Sequence, residues 1–464
     1  MENKDFIINN GVLEKYIGKD AEVIIPEGIT KIGDIAFNRC FQLESVIIPS
    51  GVTEIGMHAF LGCTALKSIV IPEGVKRIEW GAFEKCSSLT EVSIPNSLEV
   101  IEKNIFYDCP NLIYNEIEGI KYLGNSVNPY LLLVNCINKD IENVVVMNTT
   151  VAILENSFEE CKKLKEVEMS DNVRSIGFKA FYNCYSLENI TLSNKLIKID
   201  AYAFEECNLK ELNLPQGLKE IGFNAFDYNR MLENVSIPSS LEILGNDAFE
   251  GCNKIRYTED NGCLYLGNEE NPYVVFVKLE NEELEELEIK ETTKIIATEA
   301  CKDCENLVNV IIPDSVVEIG KEAFAYCSKI QSVEIPPFTK RIKEGAFQDC
   351  ESIKTLVLPN KYIVIDDFAF SYCSSLKALQ IYDGYIGDNS FEGCTSLETL
   401  TIYKAKSIGY NSFAGASSLK TAVLPEGIEI MDNSFEDCEH VEFKYVTLGE
   451  VWEIKERSLY HQQL

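Results

Sequence analysis

One spacing governs what this chain can become. A phenylalanine followed three residues later by cysteine returns about every 23 residues, so that Cys40, Cys63, Cys86 and Cys109 fall on a fixed rhythm. The phenylalanine stands at 37, 60, 83, 106, 158, 181, 204, 226, 249, 324, 347, 370, 391, 413 and 435, and Cys301 takes its place in a sixteenth unit. Asn229 and Ala416 replace the cysteine twice. A unit this short cannot bury its own apolar residues, whereas stacked units share one continuous core.

Between Cys40 and Cys63 the repeated positions are Leu43, Val46, Ile48, Pro49, Val52, Ile55, Gly56, Ala59 and Phe60. Val46 and Ile48 alternate with Ser45 and Ile47, the mark of a short strand with one buried face. Proline closes that strand because it has no N–H to continue a ladder. "VTEIG" supplies a second short apolar segment, and Ala-Phe-x-x-Cys suits a single inward-facing helical turn. The expected fold is a repeat solenoid, a right-handed coil of mainly short β-strands with one short helical turn per unit.

Two intervals break the rhythm. Cys109 to Cys161 and Cys252 to Cys304 are each 52 residues long. Their extra pieces, "GIKYLGNSVNPYLLLV" and "GCLYLGNEENPYVVFV", resemble each other and read as hairpins that project from the coils or lie across them. The expected organisation is an N-terminal cap over 1–20, about sixteen units over 21–444 with hairpin inserts near 113–140 and 256–283, and a C-terminal cap over 445–464.

The formal net charge of −32 argues against nucleic acid and against an anionic membrane surface as the main partner. No apolar run approaches a membrane span. The first residues carry no basic-then-apolar leader, which places the protein in the cytoplasm if Met1 is the native start, and at the cell surface or outside it if a leader has been trimmed. A monomer is expected.

Regular cysteines admit three readings. Zinc needs two close ligand pairs, and only Cys301 and Cys304 are so spaced. Disulfides need Cβ atoms about 3.8 Å apart, whereas a ladder of stacked coils holds like side chains about 4.8 Å apart. Thiols packed as small hydrophobes fit best, since Ala416 serves at an equivalent place. Three histidines, at 58, 440 and 461, offer no catalytic constellation, and no phosphate-binding glycine motif is present. Neither catalysis, a metal nor a cofactor is expected.

The unit L-x-x-V-x-I-P-x-x-V-x-x-I-G-x-x-A-F-x-x-C resembles that of the BspA-like (Treponema pallidum-type) leucine-rich repeat family, and it recurs over roughly residues 21–440. The resemblance implies a leucine-rich-repeat solenoid that recognises proteins, with surface adhesins of bacteria and parasites as examples, and it implies no catalysis. The expected function is a non-catalytic protein-interaction scaffold; a cell-surface adhesin or glycan-binding protein is the alternative. Its candidate partner face is the outward row of each first strand: Ser45, Ile47, Ser68, Val70, Glu91, Ser93, Asn189, Thr191, Asn309, Ile311, Thr355, Val357, Thr399 and Thr401. The hairpin tips, with Tyr130 and Tyr273, are a second candidate.

Overall fold

A computed structural model describes residues 4–359 and 361–447. The chain is a leucine-rich-repeat-like solenoid in which every coil repeats the same three sides. In the coil after Cys40, Ser45–Ile47 is the first strand and Glu54–Ile55 the second. Each pairs in parallel with its counterpart one coil away: Ile24 faces Ile47, and Ile32 faces Ile55, which faces Ile78. The middle residue of a first strand points inward, so Val23, Val46 and Ile69 are buried between exposed or half-buried neighbours.

The third side corrects the expected helical turn. No helix occurs among the described residues; Ala-Phe-x-x-Cys lies in a ladder of tight turns. In each of the sixteen units, the residues two before and two after the phenylalanine position have positive φ, as at Ile35 and Arg39, His58 and Gly62, or Asn389 and Gly393. Left-handed residues at this spacing prevent i→i−4 helical bonding. Alternate N–H groups instead point to the next coil: Ile35 to Met57, Phe37 to Ala59 and Arg39 to Leu61, at 2.7–2.8 Å. Those between them close four-residue turns, such as Asn38 to Ile35 and Cys40 to Phe37.

Inside, the phenylalanine rings stack coil upon coil. Phe158, Phe181, Phe204, Phe226 and Phe249 follow one another at 4.9–5.3 Å with nearly parallel planes. Phe324 to Phe435 repeat this at 5.1–5.4 Å. The interval is set by parallel coils about 4.8 Å apart and by ring offset.

All seventeen thiols are free, and all but Cys40 are buried. They do more than fill space. Each typical repeat thiol donates to the carbonyl of the phenylalanine position one coil earlier: Cys63 to Phe37, Cys86 to Phe60 and Cys350 to Phe324, at 3.1–3.2 Å. Cys327 donates to Cys301 in the same way at 3.0 Å. The acceptor is therefore a backbone position rather than a ring. Burial pushes these thiols up, Cys63 and Cys252 to about 12, away from any nucleophilic role.

The chain divides into two compact units, Met1–Asn234 with Asp247–Ile255, and Val235–Asn246 with Arg256–Leu464. Each contains one insert, and neither insert projects. In the first unit, Ile120–Leu123 and Leu132–Cys136 pair antiparallel, and Leu133 then lies parallel to Ile153 of the next second strand. In the second unit, Cys263–Leu266 and Val275–Leu279 do the same, with Phe276 beside Ile296. The chain's own start has this design: Phe6–Asn9 pairs with Val12–Tyr16, and Leu13 lies beside Ile32. All three hairpins carry a register shift after the second pair. The inserts are thus internal copies of the N-terminal cap. Asn125 seats the first by donating to Ile94 O at 2.8 Å, and Asn268 seats the second on Ile237 O at 2.7 Å. Of the expected C-terminal cap, residues 448–464 lie outside the described residues.

Candidate partner-binding face

The first strands carry the candidate face because their geometry exposes two of every three residues. A strand alternates its side chains, so burying the middle residue forces both neighbours outward. Ser68, Val70, Glu91, Asn189, Thr191, Asn309, Ile311, Thr355, Val357 and Thr399 are exposed, while Ser45, Ser93 and Thr401 are half-buried. Ile47 is 60% exposed and Val70 67%.

Register brings these residues into rows. In the first unit, Ser68 pairs with Glu91 and Val70 with Ser93. Further along, Glu166 lies beside Asn189 and Glu168 beside Thr191. In the second unit, Glu288 is beside Ile311, Ser332 beside Thr355, and Glu334 beside Val357. Thr399 and Thr401 lie between Ala378 and Gln380 on one side and Thr421 and Val423 on the other.

Two apolar features stand out on this face. Ile24, Ile47 and Val70 occupy the same place on successive first strands of the first unit and are all at least 60% exposed. Ile24 is not among the residues expected from the sequence, although its "EVII" repeats the "SVII" of Ser45–Ile48 and carries the same signal. Val145, at 70% exposure, was hidden by the insert before it. In the second unit, Thr355 and Val357 line a shallow cavity of about 560 Å³ with Pro337, Pro359, Gln380 and Tyr382. Tyr382 stacks on Tyr403 at 4.9 Å.

The hairpin tyrosines pack within the chain. Tyr130 is half-buried and meets Tyr122 edge-on at 5.4 Å. Tyr273 meets Tyr265 at 5.2 Å, with Lys290 Nζ over its ring at 5.6 Å.

A second surface, on the turn side of the first unit, was not singled out from the sequence. Lys103 Nζ lies 5.8 Å from the Trp80 ring and 5.1 Å from Phe178. Phe178, Tyr202 and Phe223 continue edge to face at 5.3–5.5 Å. Their signal is weak in sequence, because the aromatics shift between two turn positions from coil to coil.

Charge on the first-strand side is arranged in rungs. Lys67 pairs with Glu44, Lys165 with Glu142, Lys210 with Glu188 and Lys420 with Glu398, at 2.5–2.7 Å. These pairs are exposed and contribute little stability each. The surface offers hydrogen-bonding groups and aliphatic contact, with its thiols held inside.

Comparison with known proteins follows the same repeat. The BspA-type leucine-rich repeat region matches residues 12–130, 136–259, 277–385 and 340–464. The matched segments break around the two hairpins. Among solved structures, a leucine-rich cell surface protein from Faecalibacterium prausnitzii is 23% identical, covers 97% of this chain and 94% of its own, and has a TM-score of 0.26. A leucine-rich repeat protein from Bacteroides ovatus is 21% identical over 95% of this chain and 100% of its own, with a TM-score of 0.26. The T. pallidum leucine-rich repeat protein is 20% identical over 61% of this chain and 91% of its own, with a TM-score of 0.23. No curated protein matches the chain. No helix among the described residues is long and apolar enough to cross a membrane. Nothing in these matches supports the cytoplasmic expectation. By its repeat, from Val12 into the C-terminal segment, the chain belongs to the BspA-type leucine-rich repeat family.

Proposed function

We propose that the protein is a non-catalytic scaffold that binds a protein partner through the outward rows of its first strands. The observation that carries this reading is the aligned exposure of Ile24, Ile47 and Val70 within a small polar row. Aliphatic side chains held on a rigid ladder lose little entropy on binding, which favours affinity. The cavity beside Thr355 and Val357 supports the same face in the second unit. Because the protein is strongly acidic, a partner with a basic rim is the electrostatic complement.

The test is binding by face variants. Ile47→Glu, Val70→Glu and Val357→Glu place charge on side chains that are already exposed, so melting should be unchanged. Each should weaken partner binding about tenfold or more if it lies at the centre of the contact. Unchanged affinity in all three would reject the face.

A second reading, a cell-surface adhesin that binds glycan, is favoured by the aromatic ladder from Trp80 to Phe223. Sugar rings stack on exposed aromatic faces, and this ladder is the longest such run among the described residues. Trp80→Ala tests it: loss of glycan-array binding with intact protein binding would assign the ladder rather than the strand face.

A further inference from the structure

On the turn side of the first unit, four buried acceptor oxygens take no hydrogen bond: Oδ1 of Asn183, Oε2 of Glu205, Oδ1 of Asn224 and Oδ1 of Asp227. They come from three successive coils. The turn ladder makes those coils neighbours, with Asn183 N donating to Glu205 O at 3.0 Å and Glu206 N to Asp227 O at 2.9 Å. Asn224 joins through its own coil, donating Nδ2 to Asp227 Oδ2 at 2.7 Å. That bond fixes which end of the amide is the nitrogen and leaves its oxygen as the acceptor.

Asp227 is only 3% exposed. A carboxylate at that depth ordinarily has a cation or several donors. Here neither Asp227 nor Glu205 has an ion-pair partner among the described residues. Lys179, whose charge acts on Glu205 without an ion pair, lies over the Tyr182 and Tyr202 rings at 4.2 and 5.5 Å. Burial first, and then the charge of Asp227, raises the Glu205 carboxyl above its ordinary range. Burial raises Asp227 too, against the Tyr228 N–H and Asn224, with Glu250 and Asp247 adding to the rise. The turn ladder thus sets these oxygens on neighbouring coils, and no donor among the described residues bonds to any of the four.

We propose that Glu205, Asp227 and the amide oxygens of Asn183 and Asn224 form a binding site for calcium. All the donors are hard oxygens, which select calcium or magnesium over metals that prefer imidazole or thiolate. No three His, Cys, Asp or Glu side chains converge on a metal site among the described residues; this set is two carboxylates and two amides. Calcium accepts such a mixed, irregular set and completes it with water, whereas magnesium demands near-octahedral geometry. So few charged ligands place the affinity at the weak, millimolar end of calcium sites. Nothing here depends on which macromolecule the strand face binds.

The test uses the full chain. Terbium luminescence excited through tyrosine reports the site, because Tyr182 and Tyr202 lie beside it. Calcium should compete that signal away, and at about 5 mM it should raise the melting temperature by about 1 °C. Asp227→Asn and Glu205→Gln should each abolish both responses. In chelator, Asp227→Asn should melt no lower than wild type, because it removes a repelling charge and keeps the shape. If Asp227→Asn does not fold, the more exposed Glu205→Gln carries the test. Wild-type melting that ignores calcium, terbium signal that calcium does not displace, or variants that keep the full response would overturn the assignment.

Discussion

Asn229 stands where the repeat calls for cysteine, and replacing it with cysteine should destabilise the protein. A consensus argument predicts the opposite. In a typical coil the leucine after the cysteine bonds back to it: Leu66 N donates to Cys63 O at 3.1 Å and Leu187 N to Cys184 O at 2.8 Å. The coil after Cys207 is one residue short, so Leu209 sits two residues on rather than three. Its N–H has lost that carbonyl. Asn229 of the next coil replaces it, with Oδ1 accepting from Leu209 N at 3.2 Å. Its Nδ2 meanwhile donates to Phe204 O at 2.7 Å, the bond a repeat thiol would make, and to Phe226 O at 2.9 Å. Asn229→Cys keeps a donor for Phe204 O but leaves a buried N–H without a partner, which costs about 1–3 kcal/mol. Asn229→Ala also leaves a void and should cost about 3–4 kcal/mol. Urea unfolding followed by circular dichroism measures both. Inserting one residue after Asn208 in the Asn229→Cys background should restore stability, because the leucine regains its carbonyl. Asn229→Cys as stable as wild type, with no gain from the insertion, would refute the reasoning.

Other outcomes follow from the same physics. Glu155 lies between Lys103 and Phe178 on the turn side; burial, then Asp200, lifts its carboxyl to about 7 against the Asn104 N–H and Lys103. A carboxyl raised on folding holds its proton longer in the native state, so stability is fully present below about pH 4.5 and falls as pH rises to about 7. Glu155→Gln should therefore gain about 1–2 kcal/mol at pH 8 and nothing at pH 4, read as paired melting curves. Ile35 and Phe368 adopt left-handed φ of 53° and 57°, where a β-branched or aromatic side chain is strained. Ile35→Asn and Phe368→Asn should each raise stability by about 1 kcal/mol in urea titrations. Native protein should present about one readily modified thiol, Cys40, to a thiol reagent, and all seventeen after denaturation.

Much of the fold was legible because one core position repeats. The phenylalanine period, with Cys301 standing in once, located the sixteen regular coils, and strand alternation identified the inward and outward residues. The turn side was misread because Ala and Phe next to Cys fit a helix and a turn ladder equally well. The deciding signal lay beside them, in Asn104, Asn156, Asn224, Asn389, Asn411 and Asn433 two before the ring, and in Gly62, Gly251, Gly393 and Gly415 two after it. Asparagine and glycine tolerate positive φ, but Ile35 and Phe368 at the same positions masked the rule. The hairpins were legible as hairpins. Their role as internal caps was not, since the N-terminal copy lacks the Asn-Pro-Tyr turn that the two inserts share, and strand register relates the three. On the candidate face, Ala378 and Gln380 belong beside Thr399 and Thr401, and the alternation of their "ALQI" carries the same signal as "TLTI".

The most direct test of partner binding through the first strands is hydrogen exchange on the full chain with and without its captured partner. Slowed exchange should concentrate on Ser45–Ile47, Ser68–Val70, Asn309–Ile311 and Thr355–Val357, with the turn side unchanged. Protection confined to the turn side or to the hairpins, with the first strands exchanging as in the free protein, would contradict it.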